Sequence, residues 1–170
     1  MAMIRKATTT DIPEIMKVVK RVVKAMNEQG SYQWDHTYPL AADYQKDVNR
    51  NELYLYEVAE GIRAVCTISS RGHKEYNEIA WTAHDQSFTL KRLAVDPTAR
   101  GKGIANQFFA YAEQLAKQTG VPLLNTDTFL ENQYAQQLFK RNAFQFVQTR
   151  KETVEAPELV YFEKVIEPKE

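Results

Sequence analysis

The residues most able to do chemistry lie at positions 93–105, where a strand-like run is followed by a short turn and a helix-like run. Gly101 and Gly103 let the backbone of the turn approach a ligand closely, because glycine has no side chain and readily adopts positive φ. The first N–H groups of a helix lack partners within the helix, and the helix dipole favours negative charge there. Arg100 and Lys102 add positive charge. The segment therefore predicts a site for a phosphate-bearing ligand.

Two common phosphate-binding motifs fit this segment poorly. The P-loop requires Gly-Lys followed by Ser or Thr, whereas Lys102 is followed by Gly103 and no glycine lies five positions before Gly101. The dinucleotide fingerprint requires glycine or alanine three positions after Gly103, where this chain has Asn106, and the preceding βαβ context is missing. The first motif is excluded, and the second is only weakly matched.

The turn instead resembles that of the GCN5-related N-acetyltransferase (GNAT) superfamily. The family signature, Arg or Gln, two residues, Gly, one residue, then Gly or Ala, is matched by Arg100, Gly103 and Ala105. The family's preceding strand, Leu-Ala-Val-x-Pro, is matched by Leu93, Ala94, Val95 and Pro97. A second family block resembles Asn132, Ala135, Leu138, Phe139 and Phe144. The chain is identified as a member by these two blocks and by the order of its predicted elements, which covers nearly the whole length.

The resemblance implies an α/β fold with a mixed, mostly antiparallel central sheet of six to seven strands, flanked by about four helices and splayed between the fourth and fifth strands. In this family the pantetheine arm lies in the splay and pairs with backbone groups like an extra strand. Acetyl-CoA is therefore the expected co-substrate, and its acetyl group would pass directly to a primary amine. The implied cofactor-binding residues are Leu93, Ala94, Val95, Arg100, Gly101, Lys102, Gly103, Ile104, Ala105, Asn132, Ala135 and Phe139.

Two residues receive specific roles from the resemblance. The backbone N–H of Leu93 would stabilise the oxyanion that forms as the amine attacks the thioester carbonyl. The side-chain amide of Asn132 would hold the arm or an ordered water. A second interpretation of Asn132, a helix N-cap, stays open because asparagine is a preferred cap.

The proton-transfer groups depart from the family pattern. The aromatic residue of the second block is often a tyrosine that acts as an acid, but Phe139 has no proton to give. Where some relatives have a glutamate base, this chain has Thr89, whose hydroxyl is not a base near neutral pH. Glu78 is the base candidate, with His84 and Asp85 as substitutes, although each is also typical of a solvated loop. Two alternatives stay open: a non-catalytic acyl-CoA binding or sensing domain, and a transferase of a different acyl group.

Aromatic residues predict the acceptor site. Trp34, Tyr38 and Trp81 lie in segments that determine acceptor specificity in such folds, and aromatic walls suit an apolar or cationic amine. The alternative is that these rings only pack their loops onto the sheet. Cys66 lies in an apolar strand, where a buried and unreactive thiol is expected.

Hydrophobic periodicity predicts the elements that position these residues. Strands are expected at 3–6, 53–59, 62–69, 86–95, 123–127, 144–150 and 159–165. Helices are expected after residue 11 and at 41–50, 102–119 and 132–141, and residues 71–85 are expected to be polar and irregular. We treat residues 1–170 as a single domain with a frayed tail over 166–170.

Composition limits the class of protein. Lys plus Arg and Asp plus Glu both number 22, so no field of one sign favours nucleic acid or an anionic membrane. With one cysteine, no secretion-like start and no apolar run near 20 residues, we expect a soluble cytoplasmic protein. No His and Cys spacing suggests a metal. The expected partner is a small-molecule or peptide amine, with a homodimer left open.

Overall fold

The computed structural model describes residues 2–83 and 85–167. They form two compact units, the first unit being Met1–Ile68 with Lys91–Phe108 and the second unit Ser69–Leu90 with Phe109–Glu170. His84, a substitute base candidate, and residues 168–170 of the predicted tail lie outside the described residues. Within the described ranges, no helix combines the length and hydropathy needed to cross a bilayer.

The sheet and helices match the predicted fold class. The strands are β1 (Met3–Lys6), β2 (Leu53–Val58), β3 (Gly61–Ser69), β4 (Phe88–Val95), β5 (Leu123–Phe129), β6 (Gln145–Arg150) and β7 (Leu159–Val165). The α-helices are α1 (Ile12–Glu28), α2 (Ala41–Asn49), α3 (Ile104–Thr119) and α4 (Gln133–Arg141). The strand order is β1-β2-β3-β4-β5-β7-β6, with β4 and β5 parallel and the pairs β1–β2, β2–β3, β5–β7 and β6–β7 antiparallel. The mixed, mostly antiparallel sheet with four helices is confirmed.

The first unit is organised around α1. Its apolar residues recur at helical spacing, so that one face of the helix is buried: Ile15, Val18, Val19 and Val22. This face packs in one core with residues of β2 and β3, among them Leu53, Leu55 and Val65. Ahead of the helix, the Asp11 carboxylate accepts the backbone N–H of Thr8 at 2.7 Å, which orients the entering chain.

The second unit contains a buried aromatic cluster. Tyr76, Ile79 and Trp81 pack against Leu123 of β5 and Tyr161 of β7. The first three belong to the segment 71–85, which the sequence predicted to be polar and irregular. The described part of the segment is irregular apart from a 3-10 helix at Lys74–Glu78, but Tyr76, Ile79 and Trp81 form part of the core. Periodicity did not reveal this role, because three buried residues in an irregular segment produce no regular spacing.

The parallel ladder between β4 and β5 is short. It pairs Phe88 with Leu124 and Thr89 with Asn125, although β4 has 8 residues and β5 has 7. Next to these pairs, the Thr126 hydroxyl donates to the carbonyl of Leu90 at 2.9 Å, so a side chain satisfies a backbone acceptor. The early end of this pairing agrees with the predicted splay between the fourth and fifth strands.

The residue that directly follows β7 is packed and hydrogen-bonded. Ile166, which the sequence assigned to the tail, is 5% exposed and donates its N–H to the carbonyl of Pro122 at 2.9 Å. The hydrogen bond and the burial hold this residue in the second unit.

Candidate active site

The chain leaves β4 at Asp96 in a fixed direction. The Asp96 carboxylate accepts hydrogen bonds from the N–H and hydroxyl of Thr98 at 3.0 and 2.9 Å, and from Nη2 of Arg21 at 2.6 Å. Its own N–H donates to the carbonyl of Arg63 at 2.8 Å. Partial burial alone would raise the pKa of Asp96, but the bonds from Arg21 and Thr98 lower it below its ordinary value. A charged carboxylate therefore anchors the start of the turn.

The turn that follows is open where a ligand could approach. Gly101 and Gly103 have φ of 79° and 75°, which glycine adopts without strain. A Cβ added at Gly101 would meet no atom within 4 Å, and one at Gly103 would meet only Nδ2 of Asn106 at 4.0 Å. Arg100 and Lys102 are exposed beside the two glycines, and α3 begins at Ile104, directly after Gly103. These residues fit a pyrophosphate, because they combine open backbone, a helix N-terminus and two cations.

One residue of β4 departs from strand geometry immediately before Leu93. Arg92 has φ of 50°, in the left-handed region. For a residue with a side chain this conformation costs roughly 1–2 kcal/mol, so contacts elsewhere must stabilise it. One such contact is made by the buried Tyr44, whose hydroxyl donates to the Arg92 carbonyl at 3.3 Å.

The Arg92 side chain forms a two-pronged ion pair with Asp47 of α2. Nε donates to Oδ2 at 2.9 Å and Nη2 to Oδ1 at 2.7 Å. Asp47 is only 1% exposed and also accepts the Thr67 hydroxyl at 2.7 Å. Burial lowers the pKa of the Arg92 guanidinium, but the hydrogen bonds to Asp47 and Tyr38 outweigh this and raise it above its ordinary value. Arg92 is therefore charged at every accessible pH.

The three predicted acceptor residues lie in different surroundings. Trp34 is 9% exposed and belongs to the core of the first unit, and Nδ2 of Asn27 donates to its carbonyl at 2.9 Å. Trp81 is 6% exposed in the second unit and donates Nε1–H to the Tyr76 carbonyl at 2.9 Å. Tyr38 is 36% exposed, and its hydroxyl accepts a hydrogen bond from Nη1 of Arg92 at 3.1 Å. Packing thus accounts for both tryptophans, while Tyr38 keeps an accessible ring.

Asn132 caps α4, as the second interpretation of this residue anticipated. Its Oδ1 accepts the N–H of Ala135 at 3.1 Å, and its Nδ2 donates to the Thr128 hydroxyl at 3.2 Å. On the same helix, the buried Phe139 has its ring centroid 5.3 Å from that of Phe162 and 6.0 Å from that of Phe109. The structure therefore gives Asn132 a structural role and surrounds Phe139 with aromatic rings.

The candidate base Glu78 is solvent-exposed. Its side chain is 62% exposed and forms an ion pair with Nη2 of Arg150 at 3.0 Å. Thr89, which lies where some relatives have a glutamate base, is buried and donates its hydroxyl to Oδ1 of Asn125 at 2.5 Å. Neither arrangement provides a carboxylate in a partly enclosed site.

The structure places a further carboxylate, which was not predicted from the sequence, beside Tyr76 and His73. Asp127 of β5 has a side chain that is 15% exposed, with Oδ1 accepting the Tyr76 hydroxyl at 2.5 Å and lying 3.9 Å from Nε2 of His73. Burial raises the pKa of the Tyr76 hydroxyl far above its ordinary value, so this group remains a donor. The available sequence signal was the polar run 125–128 within a strand, since polar residues in a buried strand need specific partners.

Cys66 has the environment expected of an unreactive thiol. It is fully buried in β3, with Sγ 3.9 Å from the carbonyl of Lys91. Burial raises the pKa of the thiol well above its ordinary value, which keeps it neutral. In the described part of the chain, no three His, Cys, Asp or Glu side chains are grouped so that they could hold a metal ion.

Comparison with known proteins finds acetyltransferases in both the family models and the solved structures. The model of the acetyltransferase (GNAT) family matches residues 19–144. A GNAT-family acetyltransferase structure from Listeria monocytogenes is 22% identical, with a TM-score of 0.80 over 97% of this chain and 95% of the other. The ribosomal-protein-S18-alanine N-acetyltransferase of Escherichia coli is 15% identical, with a TM-score of 0.72 over 100% and 97%. A putative acetyltransferase from Salmonella typhimurium, solved with its cofactor acetyl-CoA, is 12% identical, with a TM-score of 0.72 over 99% and 95%. No curated protein matches the chain.

Proposed function

The chain belongs to the acetyltransferase (GNAT) family, and on that premise we propose that it transfers an acetyl group from acetyl-CoA to a primary amine of a small molecule or peptide by direct attack. The observation that carries the proposal is the backbone between Arg92 and Gly103. A left-handed residue precedes Leu93, and two positive-φ glycines with open space follow the strand. Such a backbone can bind an anion at one end and direct an N–H group at the other.

In this proposal the turn 100–105 binds the pyrophosphate of the co-substrate. Arg100 and Lys102 supply charge, and the open faces of Gly101 and Gly103 let backbone N–H groups reach phosphate oxygens. Acetyl-CoA supplies a thioester carbonyl whose oxygen gains negative charge when an amine attacks and forms the C–N bond. The C–S bond then breaks and CoA leaves as a thiolate, which is a tolerable leaving group without a protein acid. The Leu93 N–H stabilises that charge, since a preorganised donor acts most strongly where charge develops.

The amine must be neutral to attack, so a group on the protein has to take its proton. Asp127 is a stronger candidate than Glu78 for this role. Glu78 is exposed and would first have to give up its ion pair with Arg150, whereas Asp127 is enclosed with Tyr76 and His73. Enclosure disfavours the charged form of a carboxylate, so an enclosed carboxylate takes a proton from an amine more readily than an exposed one does.

Tyr38 is the residue that we assign to the acceptor. Its ring is the accessible member of the predicted aromatic set, and the Arg92 guanidinium fixes its hydroxyl. An accessible aromatic face suits a cationic or apolar amine. The E. coli relative acts, by its name, on an alanine of ribosomal protein S18, and a peptide that contains alanine is accordingly one of the acceptors to test. Cytoplasmic location completes the proposal.

The test is a thiol-release assay with acetyl-CoA and a panel of monoamines, polyamines, amino acids and peptides, with mass spectrometry of the products. We expect release of CoA that depends on the amine, together with one acetyl group on the acceptor. Binding of acetyl-CoA without turnover on any amine would favour the acyl-CoA binding or sensing alternative. Turnover with another acyl-CoA and not with acetyl-CoA would favour transfer of a different acyl group.

A further inference from the structure

The left-handed conformation of Arg92 is held from two directions. The backbone carbonyl of Arg92 accepts the hydroxyl of the fully buried Tyr44, and its guanidinium makes two hydrogen bonds to the buried Asp47. Asp47 is itself held by the Thr67 hydroxyl of β3. Both the main chain and the side chain of Arg92 are therefore fixed by residues more than 20 positions away. A strained conformation persists only where the surrounding structure determines it in this way.

Stability alone gives a weak explanation for this ion pair. Removing two charges from water costs free energy that their attraction often fails to offset, and apolar replacements of buried pairs are often neutral or stabilising. The side chains of Arg92 and Asp47 are only 13% and 2% exposed. The pair has a second consequence that an apolar contact would not reproduce, because two directional hydrogen bonds from a planar guanidinium tie Arg92 of β4 to Asp47 of α2.

That direction matters for the neighbouring residue. Leu93 follows Arg92 directly, so the orientation of its N–H depends on the ψ angle of Arg92. A rotation of Arg92 from the left-handed region into ordinary strand geometry would turn that peptide plane. The ion pair with Asp47 opposes this rotation.

We infer that Asp47 and Arg92 are positioning residues for acyl transfer: their buried ion pair holds Arg92 of β4 in the left-handed conformation that directs the Leu93 N–H at the thioester carbonyl. The inference rests on the proposed function for the role of Leu93. The Arg92 guanidinium also donates to the Tyr38 hydroxyl, so the same side chain links the oxyanion donor to the residue assigned to the acceptor.

The test compares CoA with acetyl-CoA by calorimetry in the absence of any amine. Only acetyl-CoA carries the carbonyl that the Leu93 N–H would contact, so the ratio of the two dissociation constants reports on that N–H. One hydrogen bond corresponds to a preference of about three- to tenfold for acetyl-CoA in the unmodified protein. In Asp47→Asn and Arg92→Lys we expect this ratio to fall to about one, while the affinity for CoA stays within about twofold. With an active acceptor, kcat should fall about 10- to 100-fold and KM for acetyl-CoA should change little.

The matched control is a second two-pronged ion pair in the first unit. Nη1 and Nη2 of Arg5 contact the two carboxylate oxygens of Asp11 at 2.9 and 3.0 Å, far along the chain from β4. Arg5→Lys should change neither the affinity ratio nor kcat. If Asp47→Asn fails to fold, Thr67→Val removes one hydrogen bond from Asp47 and should lower the ratio to a smaller extent.

Each outcome decides the question. A wild-type ratio retained in folded Asp47→Asn and Arg92→Lys would overturn the inference, as would an equal loss of affinity for CoA and acetyl-CoA, which indicates a structural role. A protein that shows no preference for acetyl-CoA to begin with would also overturn it. Absence of turnover with every amine would refute the proposed function, and the affinity ratio would still support or refute the positioning role.

Discussion

Two parts of one short stretch, Arg92 in β4 and the glycines of the turn, adopt similar positive φ by opposite means. Gly101 and Gly103 reach φ of 79° and 75° because they lack a side chain, and almost nothing surrounds the space where a Cβ would lie. Arg92 reaches φ of 50° with a long side chain, and buried hydrogen bonds hold it there.

The difference predicts which substitutions each part tolerates. The positive φ of Gly101 and Gly103 depends on residue type at those two positions, since neither glycine has a side chain that a distant residue could hold. Arg92 depends on its partners, so changes at Asp47 or Tyr44 should alter β4 although neither belongs to it. A conformation set by glycine is insensitive to distant substitutions, whereas one set by side chains couples β4 to α2.

The largest effect is expected in the turn. Gly103→Val adds a β-branched side chain at positive φ and covers the open face, so CoA affinity should fall about 10- to 100-fold, as expected for the loss of one charge-assisted hydrogen bond. Gly120→Val is the matched control, because Gly120 also has φ of 75° and open space around its Cβ position, at the end of α3. Calorimetry that shows equal CoA affinity in both variants would place the pyrophosphate elsewhere.

The next largest effect is expected when the ion pair that holds Arg92 is removed. Cys66 lies beside the carbonyl of Lys91 and is neutral and buried, so the unmodified protein should react very slowly with iodoacetamide at pH 8. Asp47→Asn weakens the support of β4 and should accelerate labelling about tenfold, the effect of about 1.4 kcal/mol on a local opening. Gly103→Val should leave the rate unchanged. If Asp47→Asn and Gly103→Val accelerated labelling equally, Arg92 and the glycine turn would not differ in how their conformations are held.

A smaller effect is expected at Phe139, which the sequence resemblance placed among the cofactor-binding residues. Phe139→Leu should lower stability by on the order of 1 kcal/mol and leave kcat within about threefold, because this ring packs and transfers no proton. Phe146→Leu is the control, since Phe146 contacts the same Phe162 ring but is 57% exposed. A large loss of kcat in Phe139→Leu at unchanged CoA affinity and stability would assign the ring a catalytic role.

The smallest effect is expected at Tyr38. Tyr38→Phe removes the hydroxyl that accepts from Arg92 and should raise KM for the acceptor about two- to fivefold, leaving KM for acetyl-CoA unchanged. Tyr32 lies with Tyr38 between α1 and α2 and is 68% exposed, and Tyr32→Phe should change neither constant. An increase confined to KM for acetyl-CoA would show that Tyr38 was assigned to the wrong substrate. Trp34→Ala is unsuitable here, because truncating a buried tryptophan costs about 3–5 kcal/mol of stability.

Much of the fold and the family could be predicted from local patterns. The match of Arg100, Gly103 and Ala105 to the family signature needs no tertiary information, because those residues lie close together in one short run of the chain and a turn is specified by its own residue types. The family match over residues 19–144 confirms that identification. Strand and helix positions followed from regular spacing, and the seven strands and four helices agree with it. Spacing could not resolve the segment 71–85, whose buried rings come at irregular intervals.

The sequence by itself determined the family, the elements and the glycine turn, since each depends on neighbouring residues. Only the tertiary structure decided which side chains hold Arg92 in its conformation and that the Asp127 carboxylate is enclosed. Arg92 and Asp47 are separated by 45 positions, and Asp127 and Tyr76 by 51, so no local pattern links them. Burial supplies the physical reason: a buried charge or polar group must find a partner, and folding brings the partner from wherever the chain passes.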